Sequence, residues 1–335
     1  MRAHSFMHSS RGTSMDKNKK MLGIKCLGRI FSFIIILAGL LLLASFMLMP
    51  KTNTEAGGMN NPNANGFYGE PKNTIEIAVI GNSDAYSGIS PLELWNQYGY
   101  TSYVAGEGSQ ALSQSLIMLK EILKVQNPKL VILETDAVFS GLPHNTFVAV
   151  AKNMVPVFQY HDRWKTVKAG EILKKPEYNG KTITKGQYVS IEEEPYTGPE
   201  YLVKTSKIKK IPRYSKTFLD MFVKTCKDND IPLLLVHVPS TTSWSYDKYN
   251  SMKSYADEQG ITFIDYDLKR QECGLDWKTD SRDKGRHLNC YGAKKITTCL
   301  GEYIKNNYNL EDHRNDAAYN EWNEDYLEYS KMMKK

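Results

Sequence analysis

Ser83, Asp280, Asp283 and His287 are the residues whose types and spacing can carry nucleophilic chemistry in this chain. A serine hydroxyl is a poor nucleophile until a base takes its proton. The imidazole that takes it needs a carboxylate to fix its tautomer and orientation. Ser83 can be the nucleophile, His287 the base, and Asp283 or Asp280 the orienting acid. Asp283 is the nearer of the two, and Gly285 between it and His287 allows a tight bend. The same residues have plainer roles open to them. Ser83 can cap the helix that follows it, and His287 can hold a loop carbonyl. Asp276, Asp280 and Asp283 can bind calcium, but the alternating ligands and the glycine of an EF-hand are missing. No cofactor and no metal is implied.

The elements that must position these residues are legible as alternating patterns. Short apolar runs at 75–80, 101–104, 130–133, 231–238 and 261–264 read as buried strands. Helical stripes lie between them: Leu112, Leu116, Leu119 and Leu123 within 110–125, and Phe218, Met221, Phe222 and Cys226 within 214–229. Further helices are expected over 246–259, closed by Gly260, and 291–307. Strands that alternate with helices and are apolar throughout predict a parallel α/β sheet covered on both faces. Ligands of such sheets bind beyond the carboxyl ends of the strands. Gly81-Asn-Ser83-Asp84 follows the first strand, Ala105-Gly106 the second, and Glu134-Thr135-Asp136 the third. Asp280, Asp283 and His287 lie in the loop after the fifth. The topology predicts all of them on one edge.

An uncharged apolar run over 30–49 precedes this domain, followed directly by Pro50. At 1.5 Å per residue it spans about 30 Å, the hydrocarbon thickness of a bilayer. It is longer than the core of a cleavable signal peptide, so it reads as an uncleaved anchor; cleavage after Ala44 or Ser45 is the alternative. Residues 1–29 carry seven basic residues (Arg2, Arg11, Lys17, Lys19, Lys20, Lys25, Arg29) against Asp16. The positive-inside rule keeps that tail cytoplasmic and the main domain extracellular, single-pass in the cell membrane. Removing the tail from the net charge of +6 leaves 36 basic and 36 acidic residues, so no general field for nucleic acid remains.

Gly81-Asn-Ser83, Gly106, and Asp283-Lys-Gly-Arg-His287-Leu-Asn289 resemble the SGNH (GDSL-like) hydrolase superfamily over about residues 74–305. The Ser-Asp after Gly-Asn, the His-Leu-Asn-x-x-Gly stretch ending at Gly292 and the anchor look like its bacterial surface branch. That branch includes the D-alanyl transfer protein of teichoic acid synthesis and O-acetylation proteins of the alginate type. The resemblance implies a three-layer flavodoxin-like domain of about five strands. It also implies a serine esterase or O-acyltransferase working on a small acyl ester, acetyl or D-alanyl, of a cell-envelope glycan or teichoic-acid-like substrate. A membrane-bound O-acyltransferase is the partner to expect. The implied oxyanion donors are the backbone N–H groups of Ser83 and Gly106. The family's third donor, an asparagine, falls at Thr135, whose hydroxyl has a shorter reach. Loss of one such donor typically costs about 10²–10³ in rate, which keeps open a catalytically weak glycan-binding or scaffold protein. The family's acid stands three residues before the histidine, where this chain has Lys284. Asp283 can serve if Lys284-Gly285 bulges, with Asp280 in reserve. The chain departs from α/β-hydrolases, since Gly81-x-Ser83-x-Ala85 lacks the second glycine of their nucleophile elbow.

Four segments lie outside this pattern. Residues 50–73, with Gly57-Gly58 and Asn60-Asn61-Pro62-Asn63, read as a flexible extracellular spacer. Residues 140–212 are an insertion of a length that is more often a functional cap than padding. Its aromatics Phe158, Tyr160, Trp164, Tyr178, Tyr188, Tyr196 and Tyr201 can line a glycan or acyl site or form a small local core. His161 and Trp164, in the run His161-Asp162-Arg163-Trp164, are candidates for substrate contact, with an internal salt bridge as the alternative for the run. Trp244 can line the pocket mouth or simply pack. Of the external cysteines, Cys273 and Cys290 form the best candidate pair, against free buried thiols. The tail, 308–335, is expected as a helix lying on the domain surface.

Overall fold

The computed structural model describes residues 12–139 and 143–334. Arg2 and Arg11 of the basic flank and the first residues of the insertion, 140–142, lie outside the described residues. In chain order the elements are α1 (Gly12–Leu48), β1 (Ile77–Gly81), α2 (Ser83–Gly88), α3 (Pro91–Tyr98), β2 (Ser102–Gly106), α4 (Leu112–Ile122), β3 (Leu130–Glu134), α5 (Asp136–Phe139), α6 (Pro143–Met154), α7 (Val157–Tyr160), α8 (Arg213–Asp228), β4 (Leu233–His237), α9 (Tyr246–Gln259), β5 (Thr262–Asp265), α10 (Cys290–Asn307) and α11 (Asn320–Met332). They form two compact units. One joins α1 to Met154–Lys174; the other comprises Pro50–Asn153 and Lys175–Lys335.

The larger unit is a three-layer α/β fold on a five-stranded sheet of order β2-β1-β3-β4-β5, the flavodoxin-like order. Every neighbouring pair is parallel. Successive strand residues point to opposite faces, and both faces are dry. Ala78, Ile80, Val131, Leu133 and Leu235 face Leu116 and Leu119 of α4, Phe222 of α8 and Met252 of α9. Ile77, Val79, Ile132, Leu234 and Val236 face Ala85 of α2 and Ile296, Leu300 and Ile304 of α10. Burial on both sides is why these strands read as unbroken apolar runs rather than as alternations.

Apolar periodicity missed α3, but its caps are written in the chain. Ser90 accepts from the backbone N–H of Glu93, Pro91 occupies the first turn, and Gly99 closes the helix at φ +73°, the expected asymmetry of helix ends. The C-terminal tail meets α3. Trp322 lies 5.5 Å from Trp95 between ring centroids, and the buried Tyr329 hydroxyl accepts from Ser90 Oγ at 2.9 Å.

Two expectations are corrected. Residues 51–70 are no free spacer. Phe67 is fully buried, Asn53 donates to the carbonyl of Gly180 at 2.7 Å, and Asn63 donates to Gly186 at 3.0 Å. The polar, Asn-rich composition that reads as a linker is used instead to satisfy backbone groups. The disulfide joins Cys273 to Cys299, with Cα atoms 5.9 Å apart, and Cys290 is a free buried thiol. Cys290 opens α10 and turns into the core beneath Ser190, whose carbonyl accepts its N–H. Cys299, two and a half turns on, is the residue presented to the loop holding Cys273.

A buried ion pair closes the larger unit. Lys185 is fully buried, 2.8 Å from Glu70 and 2.7 Å from Asp325, with its ammonium 4.7 Å from the centroid of the Trp322 ring. Removing one partner of such a pair leaves a desolvated charge without compensation. Lys185→Met should therefore cost about 3–5 kcal/mol of stability, read by urea denaturation of the full chain. A loss below about 1 kcal/mol, the range of a surface pair, would show that the lock is not holding the unit.

Candidate active site

The site lies where the strand order reverses. β1 pairs with β2 on one side and β3 on the other, and the crevice beyond the carboxyl ends of β1 and β3 is the switch point of the sheet. Asn82 stitches it shut at the base. Its side chain accepts from the Asp84 N–H at 2.9 Å, capping α2, and donates to Asp136 at 2.6 Å. Ser83 is thereby held as the first residue of α2, half-buried. Its hydroxyl interacts with the phenol of Tyr86, one turn on. The Ser83 N–H is among the first-turn donors that have no intrahelical acceptor.

Gly106 ends β2 in register with Gly81. A Cβ there would lie 3.0 Å from the Gly81 carbonyl and 3.2 Å from that of Asn82. A side chain there would crowd both carbonyls, so glycine favours this close approach of the Gly106 backbone to the Ser83 turn.

The imidazole arrives on a hairpin. Ser281 and Leu288 form an antiparallel bridge, and the Arg286 N–H reaches back to the Asp283 carbonyl. Lys284 and Gly285 at the tip have φ of +62° and +87°, both positive as in a type I′ turn. Gly285 has no room for a side chain, since a Cβ would come within 2.6 Å of Thr241. The tip is clamped from outside it. Ser281 Oγ accepts from the Gly285 N–H at 2.5 Å, and the Gly285 carbonyl accepts from Thr241 at 2.9 Å.

This turn sets Asp283 against His287 twice. One carboxylate oxygen accepts the His287 backbone N–H at 2.6 Å, and the other lies 2.5 Å from imidazole Nδ1. Nδ1 is thus engaged and Nε2 is left facing the β1 turn, 3.9 Å from Asp84 Oδ1. Burial lowers the His287 pKa below its usual 6.5, against the raising effect of Asp283; Arg282 and Arg286 add to the lowering. The ring is therefore neutral at neutral pH, the form a base requires. Among the described residues no hydrogen bond joins Ser83 and His287, although both flank the same turn.

Asp280 has another task. It is buried, accepts from the Asp276 N–H at 2.6 Å and pairs with Lys295 of α10 at 2.7 Å. Thr135 is fully buried, its N–H donates to the Val236 carbonyl, and its hydroxyl is buried without a hydrogen-bond partner. Trp244 is corrected from pocket mouth to core. It stacks on the fully buried His237 at 3.8 Å and 14° and donates to Asp265 at 2.8 Å. His161 and Trp164 belong to the smaller unit, not to the unit that carries the site. His161 and Lys165 both pair with Asp162 there, at 3.6 and 2.7 Å, so the run forms its own salt bridges.

Beneath the site lies a buried polar layer that sequence reasoning passed over. His237 ends β4, 3.3 Å from Glu134 and 3.7 Å from Asp267. Burial disfavours its charged form, but Asp267, Glu134 and Asp265 outweigh that and hold its pKa up to about 10. Asp84 is pushed well above the usual carboxylate range by burial and by the charges of Glu134 and Asp136. It also accepts from Ser243 at 2.9 Å. A carboxyl kept neutral here does not hold the imidazolium form of His287 as a counter-ion would. The one available signal was position: Glu134, His237 and Asp265 are the last residues of their strands, and Asp84 follows the first strand within three residues.

A strap from the insertion forms the rim. The Tyr188 N–H donates to the Tyr86 carbonyl, Glu194 to Ser281, and Lys284 to Glu194. The Arg282 guanidinium lies 4.6 Å from the centroid of the Tyr188 ring. The insertion is thus divided: Lys175 onward borders the site, while Met154–Lys174 folds with α1.

No protein-family model matches the chain, and no curated protein matches it in sequence. Among solved structures it is similar to a GDSL-like lipase from Bacteroides thetaiotaomicron, at 14% identity over 69% of this chain and 88% of that one, TM-score 0.37. It is likewise similar to a psychrotrophic esterase from Pseudoalteromonas sp., in a structure inhibited by monoethylphosphonate. That match has 12% identity over 69% of this chain and 96% of that one, TM-score 0.37.

Asp283 and Asp280 can be separated without any substrate. Asp283 raises the His287 pKa, so Asp283→Asn should move the His287 imidazole titration to lower pH, followed by NMR. Asp280→Asn should leave that titration in place and instead lower stability through the Lys295 pair. A shift with Asp280→Asn alone would exchange their roles.

Proposed function

We propose that this protein is a membrane-anchored SGNH-type serine enzyme that hydrolyses or transfers a small acyl ester on a cell-envelope glycan. The observation that carries the reading is the Asp283–His287 pair, held by its own turn with Nε2 facing the residue after Ser83. In this reading Ser83 Oγ attacks the acyl carbonyl while His287 Nε2 takes its proton. The tetrahedral oxyanion is met by the N–H groups of Ser83 and Gly106. Collapse expels the alcohol, which receives the proton back from His287. Water or a glycan hydroxyl then repeats the sequence on the acyl-serine, giving hydrolysis or transfer. Asp283 stabilises the imidazolium and holds Nδ1 protonated. On substrate binding the Ser83 hydroxyl leaves Tyr86 and turns to the imidazole, as apo sites often require.

Anchoring is supported by Gly23–Leu48, a helix of 26 residues long and apolar enough to cross a membrane, and by the basic flank before it. An extracellular placement of the larger unit agrees with the Cys273–Cys299 bond, since disulfides persist in oxidising compartments. The glycan, and a membrane-bound O-acyltransferase as acyl donor, are carried by the resemblance in Gly81-Asn-Ser83 and His287-Leu-Asn289.

Ser83→Ala should abolish both hydrolysis of an aryl acetate and labelling by a fluorophosphonate, with the fold retained. If Ser83 only caps α2, the change costs about 0.5–2 kcal/mol of stability and labelling is unchanged. The buried Thr135 hydroxyl favours one second reading, a scaffold that holds an acylated glycan for a partner. A wild-type protein that binds glycan yet neither labels nor turns over any ester would establish that reading instead.

The pH profile supplies a separate check. Only neutral His287 can act as base, so kcat/KM should rise with pH through one ionisation below 6.5 and remain level above it. An acidic limb centred above 6.5 would assign the base to another group.

A further inference from the structure

Among the described side chains of α1, those at its C-terminal end are covered and those before it are not. Residues 23–40 are exposed throughout, whereas over 41–49 Ser45 is buried and Leu41, Ala44, Phe46, Met47, Leu48 and Met49 are partly buried. The cover is Met154–Lys174, the rest of the same compact unit. The Val157 N–H donates to Ser45 Oγ at 3.1 Å. Arg163, 9% exposed, donates to the carbonyls of Leu48 at 2.9 Å and Met49 at 2.5 Å. A helix leaves its last carbonyls without intrahelical donors, and a cation there also suits the helix dipole. Arg163 therefore caps the helix from outside it through one guanidinium nitrogen, Nη1.

The outer surface of this cover is not that of a soluble loop. Met154 is 71% exposed, Trp164 67% and Leu173 75%, with Phe158 at 48%. Exposed Lys165, Lys168 and Lys174 alternate with them. Soluble proteins scatter such residues singly; tryptophan, bulky apolar and lysine side chains exposed together in one short segment are the composition of a membrane–water interface. The level is fixed by the apolar run. Residues 30–49 at 1.5 Å each span about 30 Å, the thickness of a hydrocarbon core. The bonds from Val157 and Arg163 fall on Ser45, Leu48 and Met49, at the outer end of that run.

We propose that Met154–Lys174 is an interfacial collar, lying in the lipid headgroup layer around the C-terminal end of α1. Met154, Phe158, Trp164 and Leu173 enter the acyl boundary, and Lys168 and Lys174 reach the phosphates. The occupant of this surface is the bilayer itself, because the surface continues the lipid-facing wall of α1. The inference rests on the anchor reading and is independent of any catalytic role for Ser83.

The full chain, with Cys26→Ser to clear its one exposed thiol, is placed in phosphatidylcholine–phosphatidylglycerol nanodiscs. A nitroxide is attached at Trp164→Cys or at Leu173→Cys. Ile36→Cys in α1 and Lys305→Cys on the exposed side of α10 are the references. Relaxation by oxygen reports lipid, and relaxation by a water-soluble nickel chelate reports solvent. At both collar positions the oxygen-to-nickel ratio should rise several-fold over that at Lys305. A ratio equal to that at Lys305, with Ile36 in lipid, overturns the collar and leaves the anchor standing. Exclusion of both reagents at Trp164 and Leu173 assigns the surface to a protein partner and also overturns it. A solvent reading at Ile36 removes the anchor, and the collar with it.

Discussion

A carboxylate and an imidazole four residues apart in a loop face each other only if the chain between them reverses within two residues. Lys284 and Gly285 supply that reversal by both taking positive φ. Ser281 and Thr241 then hold the reversed tip from two sides. The remaining parts of the site are arranged about this turn. It determines which imidazole nitrogen is engaged, and therefore that Nε2 is the nitrogen presented to the end of β1. The strap over Tyr188–Glu194 and the loop after β4 both bond to the same hairpin, so rim and base are built on one small frame.

Electrostatics beneath the site follow from where strands end. Parallel strands deliver their last residues to one edge, and here those residues include Glu134, His237 and Asp265. Packing these two carboxylates, Asp267 and an imidazole out of water is costly unless they neutralise one another. His237 does so as a cation, stacked on Trp244. The excess negative charge then falls on Asp84, which responds by keeping its proton. A neutral acid beside His287 leaves the imidazole governed by Asp283 and by burial. One buried histidine thus helps set the electrostatic surroundings of a second, half-buried one.

The sheet was legible because buried parallel strands are apolar runs between recognisable helix stops, and the five runs appear at nearly the expected positions. The edge that gathers Ser83, Gly106 and His287 followed from topology alone. The pairing of Asp283 with His287 was legible only as a condition on Lys284 and Gly285, since no residue pattern obliges a lysine to take positive φ. Trp244 misled because an aromatic after a strand end reads alike whether it faces substrate or stacks on a buried His237. Residues 51–70 misled because composition reports what a segment cannot bury, and says nothing of a neighbouring strap whose carbonyls its asparagines satisfy. Cys273 found Cys299 rather than Cys290 because helix phase, not sequence distance, decides which thiol faces a loop.

Lys185 has a consequence for the order in which the chain can be completed. Its two carboxylate partners come from opposite ends of the larger unit, Glu70 before the first strand and Asp325 in the last helix. During synthesis the early partner is present long before the late one. A ribosome-bound chain can assemble all five strands, yet the lysine keeps one side open to water until α11 emerges. Closure is therefore a final, post-translational event. A chain clipped by a protease ahead of Asn320 would retain its sheet and the Asp283–His287 hairpin while exposing a charge that the complete protein hides. Such a fragment would leave Lys185 with Glu70 as its one carboxylate and uncover Leu92 and Trp95 of α3, so a half-neutralised ammonium and an apolar patch would mark it together.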